Sequence, residues 1–209
     1  AQFAVPDWPG RNQLGSRQGE ILGADLIEFE KTSKKVPGNL DEDGTLMKHI
    51  LVIGDRFTRK VWATVLATKE TPTVIEGFKE LMPQIRRASS TGVSTRQKGK
   101  VNMTRPKQIV VDSAPWALSR EFEEYMQSLG IVVRNKNSSN RQELQKNSIL
   151  DAAIHKIQRI LKARRKNSPT WVTHVPATIQ EYNQTKNSGA GMMGSEPDEA
   201  ASSKIIQFN

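Results

Sequence analysis

Three short apolar segments with strand character follow one another before any helical period begins, and this order narrows the folds open to the chain. Ile21 to Phe29 (ILGADLIEF) alternates Leu22, Ala24 and Leu26 against Asp25 and Ile27. His49 to Ile53 (HILVI) reads as a buried strand ended by Gly54-Asp55, and Val61 to Ala67 (VWATVLA) as a third strand. Such a run predicts an antiparallel meander. Helices and strands then alternate. Thr71-Pro72 opens a helix with Val74, Ile75, Phe78, Leu81 and Met82 on one face. Thr71 suits its N-cap, Pro72 its first turn, and Pro83 is expected to kink or end it. Gln108 to Val111 is a short buried strand, Leu118 to Leu129 a helix closed by Gly130, and Ile131 to Val133 a fifth strand. The pattern predicts an α/β fold with a five-stranded mixed sheet, three antiparallel strands then two parallel, flanked by helices.

The clearest amphipathic helix is Ser148 to Lys162. Leu150, Ala153, Ile154, Ile157, Ile160 and Leu161 follow the i, i+3, i+4 rule, and Arg164-Arg165-Lys166 closes the helix with charge suited to its C-terminus. A last helix is expected over about Pro176 to Tyr182. Residues 1–19, with Pro6 and Pro9, read as an extended arm tacked down by Phe3 and Trp8. Residues 20–186 form the domain, with a polar basic insertion at about 88–106, and 187–209 form a Gly-, Ser- and Asn-rich tail.

Three acids stand out against this frame. Asp25 sits inside a strand, where Asp is disfavoured unless a local function holds it there; the plain alternative is an edge or turn acid. Asp112 follows the short strand 108–111, and ligands bind at the carboxyl ends of parallel strands. Asp151 lies off the apolar stripe of its helix, with His155, Gln158 and Lys162; favourable interaction with the helix dipole would explain it without any catalysis.

Charge is one-sided. The chain has 31 Lys and Arg against 22 Asp and Glu, a net charge of +9. From Arg86 to Val111 there are seven cations and no acid: Arg86, Arg87, Arg96, Lys98, Lys100, Arg105 and Lys107. From Arg134 to Lys166 there are ten, against Glu143 and Asp151: Arg134, Lys136, Arg141, Lys146, Lys156, Arg159, Lys162, Arg164, Arg165 and Lys166. A solvated basic surface would account for this, but clustering of one sign favours nucleic-acid phosphate, so these seventeen are the candidate nucleic-acid contacts. Cysteine is absent, which excludes disulfides, thiol nucleophiles and zinc fingers. The three histidines, His49, His155 and His174, are too scattered to suggest a metal cluster. No apolar run approaches the ~18 residues of a membrane span, so no membrane partner is expected.

The element order and the wording of several segments resemble the catalytic core of retroviral-type and transposable-element integrases, within the ribonuclease H-like superfamily. Gly23-Ala-Asp-Leu-Ile-Glu-Phe29 is similar to the family's first catalytic strand, and Leu51-Val-Ile-Gly-Asp-Arg-Phe-Thr-Arg-Lys-Val-Trp-Ala63 to its following hairpin. Glu121-Phe122, Trp171, Tyr182-Asn183-Gln-Thr185 and Met192 through Ala200 look like later family segments. The resemblance spans roughly residues 20–200. It implies a two-Mg²⁺ site in which Asp25 bridges both ions and Asp112 and Asp151 each complete one.

Departures accompany the likeness. Asp151 stands where the family has Glu, one methylene longer. Asp112 is followed by Ser113-Ala114-Pro115 instead of a residue and a glycine, and His155 and Gln158 occupy positions where the family places DNA-contacting lysines. Two main readings follow. In one, the chain is a domesticated, degenerate core that binds RNA or DNA as a structural component of a nucleoprotein or ribonucleoprotein, the mitochondrial ribosome included. In the other, it is an active Mg²⁺-dependent polynucleotidyl transferase that cuts and joins DNA. A basic core that only contacts other proteins is a third option. The absence of an initiator methionine fits an excised domain or a processed form, and a basic, cysteine-free chain is compatible with a mitochondrial setting, with the nucleus as the alternative.

Overall fold

The computed structural model describes residues 19–29, 34–91, 105–135 and 148–185. Five strands form one sheet in the order β3-β2-β1-β4-β5: β1 (Ile21–Glu28), β2 (His49–Asp55), β3 (Val61–Leu66), β4 (Gln108–Val111) and β5 (Val132–Asn135). β1 pairs antiparallel with β2 and β2 with β3, whereas β1 with β4 and β4 with β5 run parallel. The expected mixed sheet is therefore present, with β1 at its centre.

Each face of the sheet carries its own core. Leu22, Ala24, Leu51, Ile53, Trp62 and Leu66 face α1 (Thr71–Thr91) and α2 (Arg120–Ser128), where Phe78, Trp116 and Phe122 pack edge to face and tilted. Ile27, Ile50, Val52 and Val61 face α3 (Ser148–Arg165) and α4 (Val175–Gln184). The two-residue alternation along each strand sends one set of side chains to each layer. Both sets are apolar, as a sheet covered on both faces requires.

Several boundaries differ from the sequence-based expectation. Pro83 neither ends nor interrupts α1, which runs on to Thr91. Pro83 is exposed, so the Lys79 carbonyl that loses its helical donor can meet water, while the next apolar position, Ile85, is fully buried and holds the helix on the sheet. The first α1 bond runs from the Val74 N–H to the Glu70 carbonyl, which makes Glu70 the N-cap and Thr71 the first residue of the helix. α2 begins at Arg120 because the Ser119 hydroxyl caps it, accepting from the Phe122 N–H at 3.2 Å. Gly130, with φ of 72°, ends α2 as expected, in a conformation costly to other residues. β5 lies one to two residues later than read, and α4 is longer at both ends. The arm, most of the basic insertion and the tail lie outside the described residues.

Two buried asparagines join parts that are distant in sequence. Asn39 is fully buried; its Nδ2 donates to the Lys34 and Pro169 carbonyls at 3.0 Å each, and its Oδ1 accepts from the Trp171 N–H at 2.8 Å. Trp171 in turn stacks on Phe29 with ring centroids 4.3 Å apart. Asn183, near the end of α4, bonds the peptide of Val61 at the start of β3. These contacts hold the β1–β2 loop and the edge of the sheet against the α3–α4 layer.

Candidate functional site

Asp25 and Asp112 are brought to neighbouring positions by the central parallel ladder. The β1–β4 register pairs Ala24 with Val111, so the next residues of the two chains are Asp25 and Asp112. Adjacent strands lie about 4.8 Å apart. Ala24 and Val111 belong to the α1–α2 core, so alternation directs Asp25 and the position of Asp112 to the α3 side.

α3 arrives on that side by its first turn. A Cβ on Gly23 would stand 3.3 Å from Leu150 Cδ2, and one on Gly54 would stand 3.0 Å from Leu150 Cδ1. Two glycines in register on β1 and β2 thus leave the space that Leu150 fills. Asp151 is the next residue of the helix, half-buried like Asp25 and Asp112. The fold therefore sets Asp25 and Asp112 at neighbouring positions and brings the first turn of α3, which carries Asp151, onto the same sheet face.

Their side chains do not combine into a metal-holding group. Among the described residues, no three or more His, Cys, Asp or Glu side chains are placed to hold a metal ion. Asp25 Oδ1 instead accepts its own neighbour's amide, Leu26 N–H, at 2.7 Å. β4 has ended at Val111, alongside Ala24, so this amide lies just beyond the end of the paired ladder. The donors are chemically right for Mg²⁺, being hard carboxylate oxygens, but their arrangement does not fit the ion.

The predicted cations divide between both faces and both ends of the sheet. Arg134, exposed on β5, pairs in register with Val110 and so falls on the α3 side beside the acids. α3 turns Arg159 and Lys162 to solvent, with His155 and Gln158 also exposed, keeps Arg165 half-buried, and is followed directly by the exposed Lys166. Lys156 lies over the Tyr182 ring at 5.3 Å, where burial lowers its pKa. Arg164 is held by Glu181, at 2.8 Å from Nε and 2.7 Å from Nη2. On the other face of the sheet, burial pushes the Tyr125 phenol above its usual pKa, and the nearby Arg86 charge only partly offsets this; Arg87 is exposed on the same helix as Arg86. Arg105 and Lys107 precede β4, at the end of the sheet opposite the acids, and Lys107 pairs with Glu20 at 2.9 Å. Arg96, Lys98, Lys100, Lys136, Arg141 and Lys146 lie outside the described residues.

A buried polar turn that the sequence reading did not single out closes the opposite end of the sheet, where β1 begins. Asp55 is 1% exposed and closes the β2–β3 turn, accepting from the Thr58 hydroxyl at 2.6 Å, the Thr58 N–H at 3.1 Å and the Phe57 N–H at 3.3 Å. Burial pushes its carboxyl above the usual range, and the Thr58 hydroxyl and turn amides pull it partly back. Arg56, 4% exposed, has its pKa brought down to about 10 by burial and by the neighbouring Arg59 charge. An Asp followed three residues later by Thr is the local signal for such a turn.

The sheet order, with three antiparallel strands and two parallel ones, and the paired acids at its centre select one architecture. The chain has the fold of a retroviral integrase catalytic core. It aligns with a chain of the simian T-cell lymphotropic virus intasome, solved in complex with PP2A regulatory subunit B56 gamma, at TM-score 0.64 and 15% identity, covering 90% of this chain. It spans only 56% of that viral chain's length. The HTLV-2 integrase catalytic core domain, solved in complex with magnesium, matches at TM-score 0.58 and 14% identity, over 90% of this chain and 98% of the core. The BIV integrase core matches at TM-score 0.56 and 16% identity, over 87% and 92%. No protein-family model and no curated protein matches the sequence. Identity this low carries the integrase-core fold, and function rests on the residues described above.

Proposed function

We propose that the chain is a domesticated integrase core that binds nucleic acid as a structural component of a larger assembly and does not catalyse strand transfer. One observation carries the reading: the outer face of α3 is cationic from about two turns beyond Asp151 onward, while the carboxylates near the start of that helix are not arranged as a metal site. Arg159 and Lys162 face solvent there, Lys166 is exposed just past the helix end, and Arg134 is an exposed cation on β5. Phosphate contacts of this kind position a duplex or a single strand without reading its sequence. RNA and DNA both fit this chemistry, so a ribonucleoprotein, including one in an organelle, suits the chain as well as a DNA complex.

The juxtaposition of Asp25 and Asp112 favours a second reading, a metal-dependent polynucleotidyl transferase. A Mg²⁺ ion bound there would activate an attacking oxygen and neutralise charge on the phosphate. One experiment separates the two. The folded chain is incubated with an end-labelled DNA duplex in Mg²⁺ or Mn²⁺, and binding is measured in parallel by fluorescence anisotropy with RNA and DNA probes. Binding without cleavage supports the structural reading. Cleavage or joining that Asp25→Asn abolishes establishes the transferase.

A further inference from the structure

β3 is an edge strand whose outward peptide groups lie at the floor of a groove. The Asp55 N–H donates to the Lys60 carbonyl at 2.8 Å, so the even-numbered residues of β3 bond to β2, and Val61, Ala63 and Val65 turn their peptide groups away from the sheet. The Asn183 side chain takes the groups of Val61, accepting its N–H at 3.0 Å and donating to its carbonyl at 2.9 Å. A side-chain amide thus already stands where a further strand would run. Among the described residues nothing pairs with the outward groups of Ala63 and Val65. The groove over them has a volume of about 520 Å³, and its two sides differ in chemistry. Ala63 and Val65 belong to the face covered by α4 and the turn before it, where Val172, Val175 and Ile179 make an apolar wall. Thr64 belongs to the α1 face, where its hydroxyl donates to the exposed Glu80 carboxylate at 2.7 Å. Lys60, over the Trp62 ring at 5.9 Å, lies about 13 Å along the strand from Thr64, at the end that Asn183 closes.

We propose that this groove docks an extended peptide of another protein, in which a Lys or Arg is flanked on both sides by apolar residues. A backbone in strand conformation presents donors and acceptors at the spacing of the Ala63 and Val65 groups, and exposed edges of this kind are templates for it. Whether that strand runs parallel or antiparallel to β3, its residue opposite Thr64 projects to the Thr64 side of the sheet and meets Glu80. The two residues beside it project to the other side and meet the apolar wall. A cation at the first position and apolar side chains at the other two complement both walls. A second copy of the chain does not. Antiparallel pairing of β3 with β3 centres on Thr64, because Ala63 and Val65 lie on either side of it, and sets two Glu80 carboxylates on the same side of the two-fold axis, where like charges repel.

The test uses the full chain and a fluorescein-labelled peptide, Gly-Thr-Val-Lys-Val-Thr-Gly, with Gly-Thr-Val-Glu-Val-Thr-Gly as its charge-reversed counterpart. In anisotropy titrations at low salt the Lys peptide should bind about fivefold or more tightly than the Glu peptide, since one makes an ion pair where the other meets a like charge. Glu80→Gln, which keeps an acceptor for the Thr64 hydroxyl, should level the two. Amide hydrogen exchange places the peptide: the Ala63 and Val65 amides exchange fast in the chain alone and about tenfold slower or more with saturating Lys peptide, while β2 amides stay protected in parent and variant and report an intact fold. Failure of the Lys peptide to bind, equal affinity for both peptides, a preference that survives Glu80→Gln, or Ala63 and Val65 amides that do not respond each overturn the proposal. So does protection of these two amides in the chain alone. If it persists at every concentration the chain covers its own edge, and if it is lost on dilution a second copy does.

Discussion

Asn183 and Val61 make two reciprocal hydrogen bonds, so a side-chain amide stands where a neighbouring strand would otherwise be. Both residues are buried. Asn183→Ala leaves the Val61 N–H and carbonyl without these partners, and each buried group left unsatisfied costs about 1–3 kcal/mol. A loss of roughly 2–4 kcal/mol is expected, which lowers the melting temperature by several degrees for a chain of this size. Asn183→Asp keeps the acceptor and loses the donor, so it should fall between the two in a thermal-denaturation series. An Ala variant as stable as the parent would show that water replaces the amide at no cost.

Asp55 makes stability depend on acid in a direction opposite to that of a salt-bridged carboxylate. Its pKa in the folded chain lies above the ordinary 3.8 because burial disfavours the charge. The folded state therefore holds this proton more tightly than the unfolded chain. The Asp55 contribution is most favourable below pH 3.8 and declines as pH rises through the folded value. Urea unfolding midpoints measured upward from pH 4 should show this decline, and Asp55→Asn should flatten it. The Asn variant also perturbs the Thr58 turn, so the slope against pH is the diagnostic, not the absolute stability. An unchanged slope in Asp55→Asn would assign the pH dependence to other groups.

The basic face of α3 should reveal itself through salt. If Arg159, Lys162 and Lys166 each neutralise a phosphate, replacing any one by Ala lowers the slope of log affinity against log salt by about 0.7–0.9 and weakens binding similarly across sequences. Arg164→Ala should alter that slope far less, since its guanidinium is already held by Glu181. Anisotropy titrations at several salt concentrations give all four slopes. A salt-independent affinity would instead favour the protein-contact option.

Gly54 and Leu150 should show strong coupling. A methyl at Gly54 would meet Leu150 Cδ1 at 3.0 Å, tighter than ordinary contact, so Gly54→Ala should cost about 1–3 kcal/mol of overpacking. Leu150→Ala alone opens a cavity and should cost about 2–5 kcal/mol. Combined, the two should cost less than their sum, because the new methyl enters the vacated space. Strict additivity in urea unfolding would place the first turn of α3 away from β2.

The element order could be read from hydrophobic period, since every strand except the edge strand β5, and every helix, buries an apolar stripe. Asp25 and Asp112 could be read as special because a carboxylate inside or just beyond a buried strand conflicts with its surroundings. Other features have no periodic signature. Asn39 and Asn183 look like ordinary loop and helix polar residues until distant backbone groups are found on both sides of their amides. Pro83 resembles a helix terminator, and only the burial of Ile85 beyond it shows why α1 persists. The split of the basic residues between faces was also hidden, because runs of charge in sequence carry no record of the sheet lying between them. Nor could the sequence show that Asp25 would turn to the Leu26 amide, which depends on where β4 stops.

Asn39 also bears on the order in which a nascent chain can fold. Its amide oxygen waits for the Trp171 amide, 132 residues further on, and one of its amide hydrogens for the Pro169 carbonyl, 130 residues further on. While the chain is being synthesised, β1, β2 and β3 can form their hairpins early, because their contacts are near in sequence. The loop that joins the first two strands can close local bonds of its own, such as Met47 N–H to the Asn39 carbonyl, but it is not fastened to the rest of the fold until α3 and the turn after it have emerged. A ribosome-bound chain stopped before Trp171 should therefore be cut by protease within 34–48 while β2 and β3 are protected, and one stopped after α4 should resist cleavage there.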